Sequence, residues 1–437
     1  MKILIVSSYF PPQNAVASLR PYSWAKYWSR AGHDVTVLTT VKRNEKNNTN
    51  FDCSGFTLIE TPLNMPFRTV NAVVKQSDTN SDGYVQKKVS LKIKILSSIK
   101  KIYIKFIEKT GCFATIRFPD WHDGWIKEAV KHLPCMDYDL LVTTAGPYSV
   151  HRAGLYLRKK GWKGKWICDW RDLCSGNYMY KGFFLFWPYE RFLENKFHKK
   201  ADFVTTVSEG LSEIIQRKTN TPVYTIFNGF DSEDFAFLFE NERKQSDKYL
   251  ISYLGTVYKG YRDPEPLLMA LGQLDKEGVI TSDDVEVRFA GNHTADVTDL
   301  AKKCGADKYF KYIGFIPRTQ SLQLQYDSDA VIFMEYDNSK VRGNLSAKIF
   351  EYLYIAKKIL AIGLSNTTTP GHLIELCNAG ICLGSDVEAI KRYLLKEIVA
   401  KKKGSKSVEL QKNMEEINKY SRKVQAEKML ELLKDNC

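Results

Sequence analysis

The stretch that decides the fold reads Arg342-Gly343-Asn344-Leu345-Ser346-Ala347-Lys348-Ile349-Phe350-Glu351-Tyr352-Leu353-Tyr354-Ile355-Ala356-Lys357-Lys358-Ile359-Leu360-Ala361-Ile362-Gly363. A helix is predicted because apolar residues recur at helical spacing, namely Ile349, Phe350, Leu353 and Tyr354. Ser346 is a candidate N-cap, since its hydroxyl can accept a free amide of the first turn. The apolar run at 359–362 ends in glycine, which is typical of an interior parallel strand. The stretch therefore predicts one end of an α/β layer.

Lys348 and Glu351 are three residues apart, so they share one side of this helix near its start. Free backbone amides and the helix dipole favour a phosphate there, and a lysine adds positive charge. A carboxylate nearby can accept hydrogen bonds from sugar or ribose hydroxyls. The pattern indicates a nucleotide-sugar pocket, and the alternative is an ordinary solvated Lys–Glu pair.

The same stretch resembles the signature helix of family 4 glycosyltransferases. It resembles in particular a subgroup with the motif Ser-x-Lys-x-x-Glu-Tyr-Leu, that of bacterial surface-polysaccharide and O-antigen glycosyltransferases. The resemblance implies an α/β fold of the GT-B type, with two Rossmann-like domains facing a central cleft and a C-terminal helix that crosses back to the first domain. It also implies that Glu351 binds ribose. Most of the family has a second glutamate where this chain has Gly343, so Asn344, Lys348 or a residue from another loop would have to contact the transferred sugar.

Length and composition agree with two packed domains. A chain of 437 residues is too long for one ordinary core, and hydrophobic residues make up 44% of it. The nine cysteines lack C-x-x-C spacing, which fits reduced thiols and argues against a zinc module. We find no apolar run of the roughly 18 residues that a bilayer span needs, and the first apolar run is too short for a signal peptide. A cytoplasmic protein is expected.

We predict an acceptor-binding domain at 1–239 and a nucleotide-sugar-binding domain at 249–407. The polar stretch between them reads as a linker, and residues 408–437 read as one last amphipathic helix. The net charge of +14 requires an anionic partner or surface, for which nucleic acid and a membrane are both candidates.

Residues 86–109 decide between these two partners. They combine an apolar stripe at helical spacing with eight lysines and a single Glu108; the stripe consists of Leu91, Ile95, Ile99, Ile102 and Phe106. A basic amphipathic helix of this kind lies on an anionic membrane surface. Packing of the stripe on the protein core is the alternative, and nucleic acid is disfavoured because stacking aromatics are sparse. We expect a peripheral position on the inner face of the cell membrane.

Two loops of the first domain supply candidate acceptor residues. The loop after the first strand resembles the family's small-residue loop, which implies that Asn14 and Ala15 lie on the acceptor side. A second loop, Gly-Pro-Tyr-Ser-Val-His, follows the strand at 138–144 and contains Tyr148 and His151. We predict that His151 donates to a sugar hydroxyl or a phosphate, and the alternative is a histidine satisfied by its neighbours.

The strand at 165–168 delivers Asp169-Trp170-Arg171-Asp172 at its carboxyl end. Charged groups at such a strand end are costly to bury unless they are paired or bound to a ligand. The subgroup has a similar Asp-x-Arg-Asp here, which implies that Asp169 and Arg171 border the acceptor and the transferred sugar. A structural Asp–Arg pair is the alternative.

The loop after the first strand of the second domain contains the candidate diphosphate contacts. Gly255 lets the backbone approach a phosphate, and Lys259 and Arg262 can neutralise it. The family commonly has an arginine where this chain has Thr256. Solvated loop cations are the alternative.

Two further segments invite an interpretation. Residues 183–201 predict a helix crowded with aromatics, which we expect to pack in the core, with its start able to touch lipid. Asp327-Ser328-Asp329 matches the Asp-x-Asp pattern of metal-dependent transferases, but we interpret it as a helix-to-strand turn because a buried strand follows. We expect no metal and no other cofactor.

The sequence thus predicts a hexosyltransferase that moves a sugar from a nucleoside diphosphate sugar, a UDP-sugar, to a hydroxyl of a lipid-linked glycan. The resemblance implies retention of configuration without a metal. Three alternatives stay open: a GT-B nucleotide-sugar epimerase, a non-catalytic nucleotide-sugar-binding subunit and a nucleic-acid binder.

Overall fold

A computed structural model describes residues 1–13, 15–42, 51–63, 117–120, 122–177, 182–240, 242–257, 262–291, 296–335, 343, 345–404 and 410–434. The predicted site residues Asn14, Lys259 and Asn344 and the predicted basic helix at 86–109 lie outside these ranges. No helix in the described ranges combines the length and the apolarity needed to span a bilayer.

The chain divides into two compact units. Unit 1 comprises Met1–Ile226 and Ala426–Cys437, and unit 2 comprises Phe227–Gln425. The division precedes Phe227, whereas the sequence placed the boundary after residue 239. The physical reason is that Phe230 stacks on Tyr354 of unit 2, with ring centroids 4.4 Å apart.

Unit 1 is built on a sheet of seven parallel strands in the order β3-β2-β1-β4-β5-β6-β7. Its strands are β1 (Lys2–Val6), β2 (Asp34–Thr40), β3 (Thr57–Thr61), β4 (Leu140–Thr144), β5 (Lys165–Trp170), β6 (Phe203–Thr206) and β7 (Val223–Thr225). Its helices are α1 (Val16–Arg30), α2 (Asp123–Ala129), α3 (Arg152–Lys159), α4 (Trp187–Lys200) and α5 (Glu209–Gln216), with 3-10 turns at Val130–His132, Tyr148–His151 and Phe184–Phe186.

Unit 2 is built on a sheet of six parallel strands in the order β10-β9-β8-β11-β12-β13. Its strands are β8 (Tyr249–Leu254), β9 (Val285–Ala290), β10 (Phe310–Gly314), β11 (Ala330–Met334), β12 (Ile359–Ile362) and β13 (Gly380–Gly384). Its helices are α6 (Ala236–Phe239), α7 (Glu265–Lys276), α8 (Asp296–Lys303), α9 (Arg318–Asp327), α10 (Lys348–Ile355), α11 (Thr369–Leu376), α12 (Val387–Lys402), α13 (Met414–Asn418) and α14 (Arg422–Glu431), which continues into unit 1, with 3-10 turns at Ser232–Phe235 and Asp307–Tyr309.

The sequence pattern explains both sheets. Every residue of β8, β11 and β12 is buried, as expected for parallel strands covered by helices on both faces. The strand order reverses between β1 and β4 in unit 1 and between β8 and β11 in unit 2. Ligands of open α/β sheets bind at such points, outside the carboxyl ends of the strands. Two parallel α/β domains of Rossmann-like topology are therefore confirmed.

Two helix predictions were wrong in detail. Helix α10 begins at Lys348 and has Ala347 at its N-cap position, so the Ser346 hydroxyl does not cap it. The predicted C-terminal helix is two helices, because the helical hydrogen bonding is interrupted before Arg422. The backbone N–H of Arg422 donates instead to the Phe230 carbonyl over 2.7 Å. The turn at Asp327-Ser328-Asp329 is confirmed, since it joins α9 to β11.

Candidate functional site

The candidate site lies at the carboxyl edge of the unit 2 sheet, where the strand order reverses. Gly255 follows β8, Gly291 follows β9 and Glu335 follows β11. The Gly255 backbone N–H donates to the Ala290 carbonyl over 2.8 Å, and a Cβ on Gly291 would overlap the Gly255 carbonyl. The two glycines therefore let neighbouring strand ends approach more closely than side chains would allow.

Lys348 places a cation at this edge. A Cβ on Gly255, which has φ +153°, would coincide with the Lys348 ammonium. The Lys348 Nζ also lies 5.5 Å from the centroid of the Tyr253 ring, over its face. Burial lowers the pKa of Lys348 to about 8, with help from the Arg262 charge and against the charges of Glu351 and Glu335. Within the described ranges the ammonium forms no ion pair, so it is a partly desolvated cation without an anion of its own.

Arg262 brings a second cation to the same edge, and Glu335 holds it. Arg262 Nη2 lies 3.1 Å from both carboxylate oxygens of Glu335, whose side chain is 8% exposed. Burial raises the pKa of Glu335, although the charges of Arg262 and Lys348 oppose that shift. Sequence reasoning missed Glu335. The signal that marks it is its position directly after a buried strand, as for Gly255.

Glu351 is held in a chain of charges. Arg318 Nη1 lies 2.8 Å from Glu351 Oε1, and its Nη2 lies 3.0 Å from Asp234 Oδ2. Arg422 Nη1 lies 3.6 Å from the same Asp234 oxygen. Burial alone would raise the pKa of Glu351, but the charge and hydrogen bond of Arg318, together with the charges of Arg422 and Lys348, lower it overall, so the carboxylate stays ionised as an acceptor. Sequence reasoning missed Arg318 and Asp234, because the folded chain alone brings these distant positions together.

The structure thus gathers five predicted donor-site residues in unit 2, namely Gly255, Thr256, Arg262, Lys348 and Glu351. Thr256 contributes its backbone carbonyl, which accepts a hydrogen bond from the Tyr253 hydroxyl over 3.0 Å. That bond joins the loop after β8 to the ring beneath the Lys348 ammonium. The arrangement can bind an anion at Lys348 and Arg262 and can accept hydroxyl hydrogen bonds at Glu351.

Asp169 of unit 1 is fully buried at the end of β5. It pairs with Arg20, whose Nη2 lies 2.8 Å from Oδ1, and it accepts from the hydroxyls of Thr144 over 2.7 Å and Thr205 over 2.8 Å. Burial alone would raise the pKa of Asp169, but the Arg20 charge and these hydrogen bonds hold it below its ordinary value. The placement favours the structural Asp–Arg pair, with Arg20 rather than Arg171 as the partner.

Arg171 joins two loops of unit 1. Its Nε donates to the Ala145 carbonyl over 2.6 Å, and its Nη1 donates to the Ala17 carbonyl over 2.9 Å. Its Nη2 occupies the space that a Cβ on Gly146 would fill, and Gly146 has φ +95°. Ala15 forms the N-cap position of α1, without a side-chain cap. Arg171 therefore ties the start of α1 to the end of β4, and its predicted contact with substrate stays a prediction.

His151 and Tyr148 are both fully buried. His151 Nδ1 lies 2.8 Å from the Thr143 hydroxyl oxygen, and its ring lies 4.4 Å from the Trp170 ring between centroids. Burial lowers the pKa of His151 to about 3, so the ring is neutral at pH 7. Tyr148 donates its hydroxyl to the Leu173 carbonyl over 2.9 Å. Thr143 thus satisfies Nδ1, whereas Nε2 is buried and has no hydrogen-bond partner in the described ranges. The predicted donation by His151 to a sugar hydroxyl or a phosphate stays a prediction.

No family model matches the sequence, and no curated protein matches it either. Solved structures match over nearly the whole length of both chains. An alpha,alpha-trehalose-phosphate synthase (UDP-forming) from Burkholderia xenovorans, in complex with glucose-6-phosphate, has a TM-score of 0.60 at 10% identity, with 99% of this chain and 100% of that chain covered. Sucrose-phosphate synthase from Thermosynechococcus elongatus has a TM-score of 0.58 at 12% identity, with 100% and 98% covered.

A variant of S. aureus TarM, in complex with Fondaparinux, alpha-GlcNAc-glycerol and UDP, has a TM-score of 0.54 at 10% identity, with 99% of each chain covered. At these identities the likeness is one of fold. It confirms the predicted fold class, GT-B, for this chain.

Proposed function

We propose that the chain transfers a sugar from a nucleoside diphosphate sugar, a UDP-sugar, to a hydroxyl of a lipid-linked glycan acceptor. The observation that carries the proposal is the Lys348 ammonium, desolvated and without an ion pair in the described ranges, against Gly255 at the switch point of unit 2. A partly desolvated cation at the carboxyl end of a parallel sheet would stabilise the negative charge of a departing diphosphate.

The structural relatives support the choice of donor. The Burkholderia xenovorans synthase is described as UDP-forming, and the S. aureus TarM structure contains UDP. As part of the proposal, we infer that the donor of this chain also carries uridine diphosphate.

In the proposed step, the bond between the anomeric carbon and the diphosphate oxygen breaks, and a bond from the acceptor oxygen to that carbon forms on the same face. The acceptor proton passes to the departing diphosphate, so charge and atoms balance and configuration is retained. Lys348 and Arg262 stabilise the diphosphate, a role that metal ions have in other phosphoryl-binding sites. Glu351, held ionised by Arg318, accepts hydrogen bonds from the ribose hydroxyls.

Glu335 is our candidate for the carboxylate that Gly343 leaves missing. It follows β11 beside Arg262, and the Lys348 charge acts on it. When the diphosphate engages Arg262, a Glu335 oxygen is released to accept a hydroxyl of the transferred sugar. The acceptor-side roles of Asn14, Ala15 and Arg171, and the membrane contact of segment 86–109 at the inner face, remain proposals taken from the sequence.

A thermal-shift panel of nucleoside diphosphates and their sugars tests the donor. Wild type is expected to be stabilised by uridine diphosphate and one UDP-sugar. Glu351→Gln is expected to lose most of that shift, because a neutral amide accepts hydrogen bonds from the ribose hydroxyls more weakly than an ionised carboxylate does. Glu286→Gln on β9 is the control, since that carboxylate pairs with Arg288 on its own strand. A full shift in Glu351→Gln would remove Glu351 from the ribose role, and no nucleotide shift in wild type would sink the proposal.

Glu335→Gln is expected to weaken the UDP-sugar about 10-fold while leaving uridine diphosphate within about 3-fold, since one charged hydrogen bond is worth roughly 1.5 kcal/mol. The measurement is the ratio of the two dissociation constants by calorimetry. Equal losses for both ligands would show that Glu335 only holds Arg262.

Product analysis with and without a glycan acceptor separates the transferase from an epimerase, and binding without turnover would indicate the non-catalytic subunit that Gly343 raises as an alternative.

A further inference from the structure

Unit 1 exposes a group of large apolar side chains in the 3-10 turn Phe184–Phe186 and the first turns of α4. We call this group the aromatic patch; it consists of Phe184, Leu185, Trp187, Tyr189 and Phe192, which are 60%, 63%, 50%, 39% and 60% exposed. The sequence predicted that this helix would pack in the core, with its start able to touch lipid. Leu193 and Phe197 do pack in the core, and the start is exposed. Exposed apolar residues are ordinary when scattered, but a contiguous group marks an interaction surface.

The inward face of α4 explains why the patch residues within this helix point outward. Leu193 and Phe197 pack in the core of unit 1, with Glu190 and Glu194 on the same inward side. The spacing is helical, so the intervening side chains must face outward. A surface helix normally carries polar residues there, and α4 begins instead with aromatic ones.

The charges of α4 are sorted by sign. Both carboxylates are 2% exposed and satisfied inside the unit, since Glu190 pairs with Arg117 over 3.3 Å and Glu194 accepts from the Ser175 hydroxyl. The exposed charged residues of the helix are all positive, namely Arg191, Lys196, Lys199 and Lys200. The outward face is therefore apolar at its start and cationic along its length.

We propose that the aromatic patch inserts into the interfacial region of a membrane that contains anionic lipid. Tryptophan, tyrosine and phenylalanine favour the boundary between headgroups and acyl chains, and exposed lysine and arginine are attracted to an anionic leaflet. A second copy of the chain fits less well, because a symmetric contact would bring the cations of both helices together. The net charge of +14 acts in the same direction. The inference does not rest on sugar transfer and concerns a surface other than segment 86–109.

Vesicle flotation of the full chain tests the proposal. Wild type is expected to float with vesicles of phosphatidylcholine and phosphatidylglycerol and much less with phosphatidylcholine alone. The double variant Leu185→Ser/Trp187→Ser is expected to partition at least 10-fold more weakly. The matched control is Leu376→Ser, which removes a leucine that is 43% exposed at the end of α11 in unit 2, and it should change partitioning less than 2-fold.

Tryptophan emission gives a second readout that does not depend on removing apolar area. Trp187 is half exposed, so insertion should shift its emission to shorter wavelength on adding the anionic vesicles. The shift should vanish in Trp187→Phe, whose flotation should stay within 2-fold of wild type.

Equal flotation of the double variant and wild type would assign binding to segment 86–109 and overturn the proposal. A concentration-dependent dimer abolished by the double variant, or polynucleotide binding lost with it, would also overturn it. Uridine diphosphate binding is measured in parallel, and its failure would not affect this test.

Discussion

Lys348→Met is expected to lower kcat/KM for the nucleotide-sugar donor about 100-fold, or ~2.7 kcal/mol of transition-state stabilisation. The physical reason is that charge grows on the diphosphate as the sugar leaves, next to an ammonium that is already partly desolvated. Desolvation strengthens that interaction and removes the reorganisation that water would require.

The same lysine predicts a pH dependence of donor binding. Burial lowers the pKa of Lys348 to about 8 in the free protein. The ammonium therefore predominates at pH 7, and its charge is lost as the pH rises through about 8. Uridine diphosphate affinity is expected to fall above pH 8 in wild type, while in Lys348→Met it should be weak and flat over the same range.

Lys276→Met is the matched control for these measurements, because Lys276 is an exposed lysine in the last turn of α7. It should leave kcat/KM within about 2-fold. Thermal stability of Lys348→Met should not fall, since removing a desolvated cation relieves a burial penalty. Activity that survives in Lys348→Met at the wild-type level would contradict the proposed chemistry at its centre.

The fold could be predicted from sequence because its signals are local. Apolar runs ending at Gly255 and Gly363 marked strands, and helical spacing between them marked the crossovers. Lys348 and Glu351 could be placed together for the same reason, since residues three apart on one helix lie on the same side of it. Local pattern also fixed which end of the sheet they occupy.

The remaining contacts could not be predicted because they join positions distant along the chain. Arg318 reaches both Glu351 and Asp234, and no short motif marks any of these pairings. The burial of His151 and the exposure of Trp187 depend on which face of each helix meets the sheet. Composition alone cannot decide which residues of such a helix are buried.

The two units use buried charge differently, and the difference separates stability from chemistry. In unit 1, Asp169 has its donors supplied by Arg20 and by two threonines. In unit 2, the cation of Lys348 has no such partner in the described ranges. A group satisfied by its own fold contributes to stability, whereas a desolvated group without a partner is prepared for a ligand.

Asp169→Asn is accordingly expected to destabilise the protein by about 3–5 kcal/mol, because it leaves the Arg20 guanidinium buried without its counter-charge. For a unit of this size the midpoint of thermal unfolding should fall by about 10 °C. Since the folded pKa of Asp169 is depressed, the stability it contributes is present above about pH 4 and is lost as the pH falls through the folded value. The loss of stability in acid should therefore be shallower in Asp169→Asn.

A double-mutant cycle separates this structural role from the catalytic one that the sequence suggested. Arg20→Met alone should destabilise by a similar amount, and Arg20→Met/Asp169→Leu should recover most of the loss because no unpaired charge remains. Glu128→Gln, which breaks the exposed pair with Lys131, is the control and should change unfolding free energy by less than about 0.5 kcal/mol. Donor turnover by the folded fraction of Asp169→Asn at low temperature should stay near that of wild type. A variant that keeps its unfolding midpoint but loses turnover would instead give Asp169 a role in the reaction, since its loss would then change the rate without changing folding.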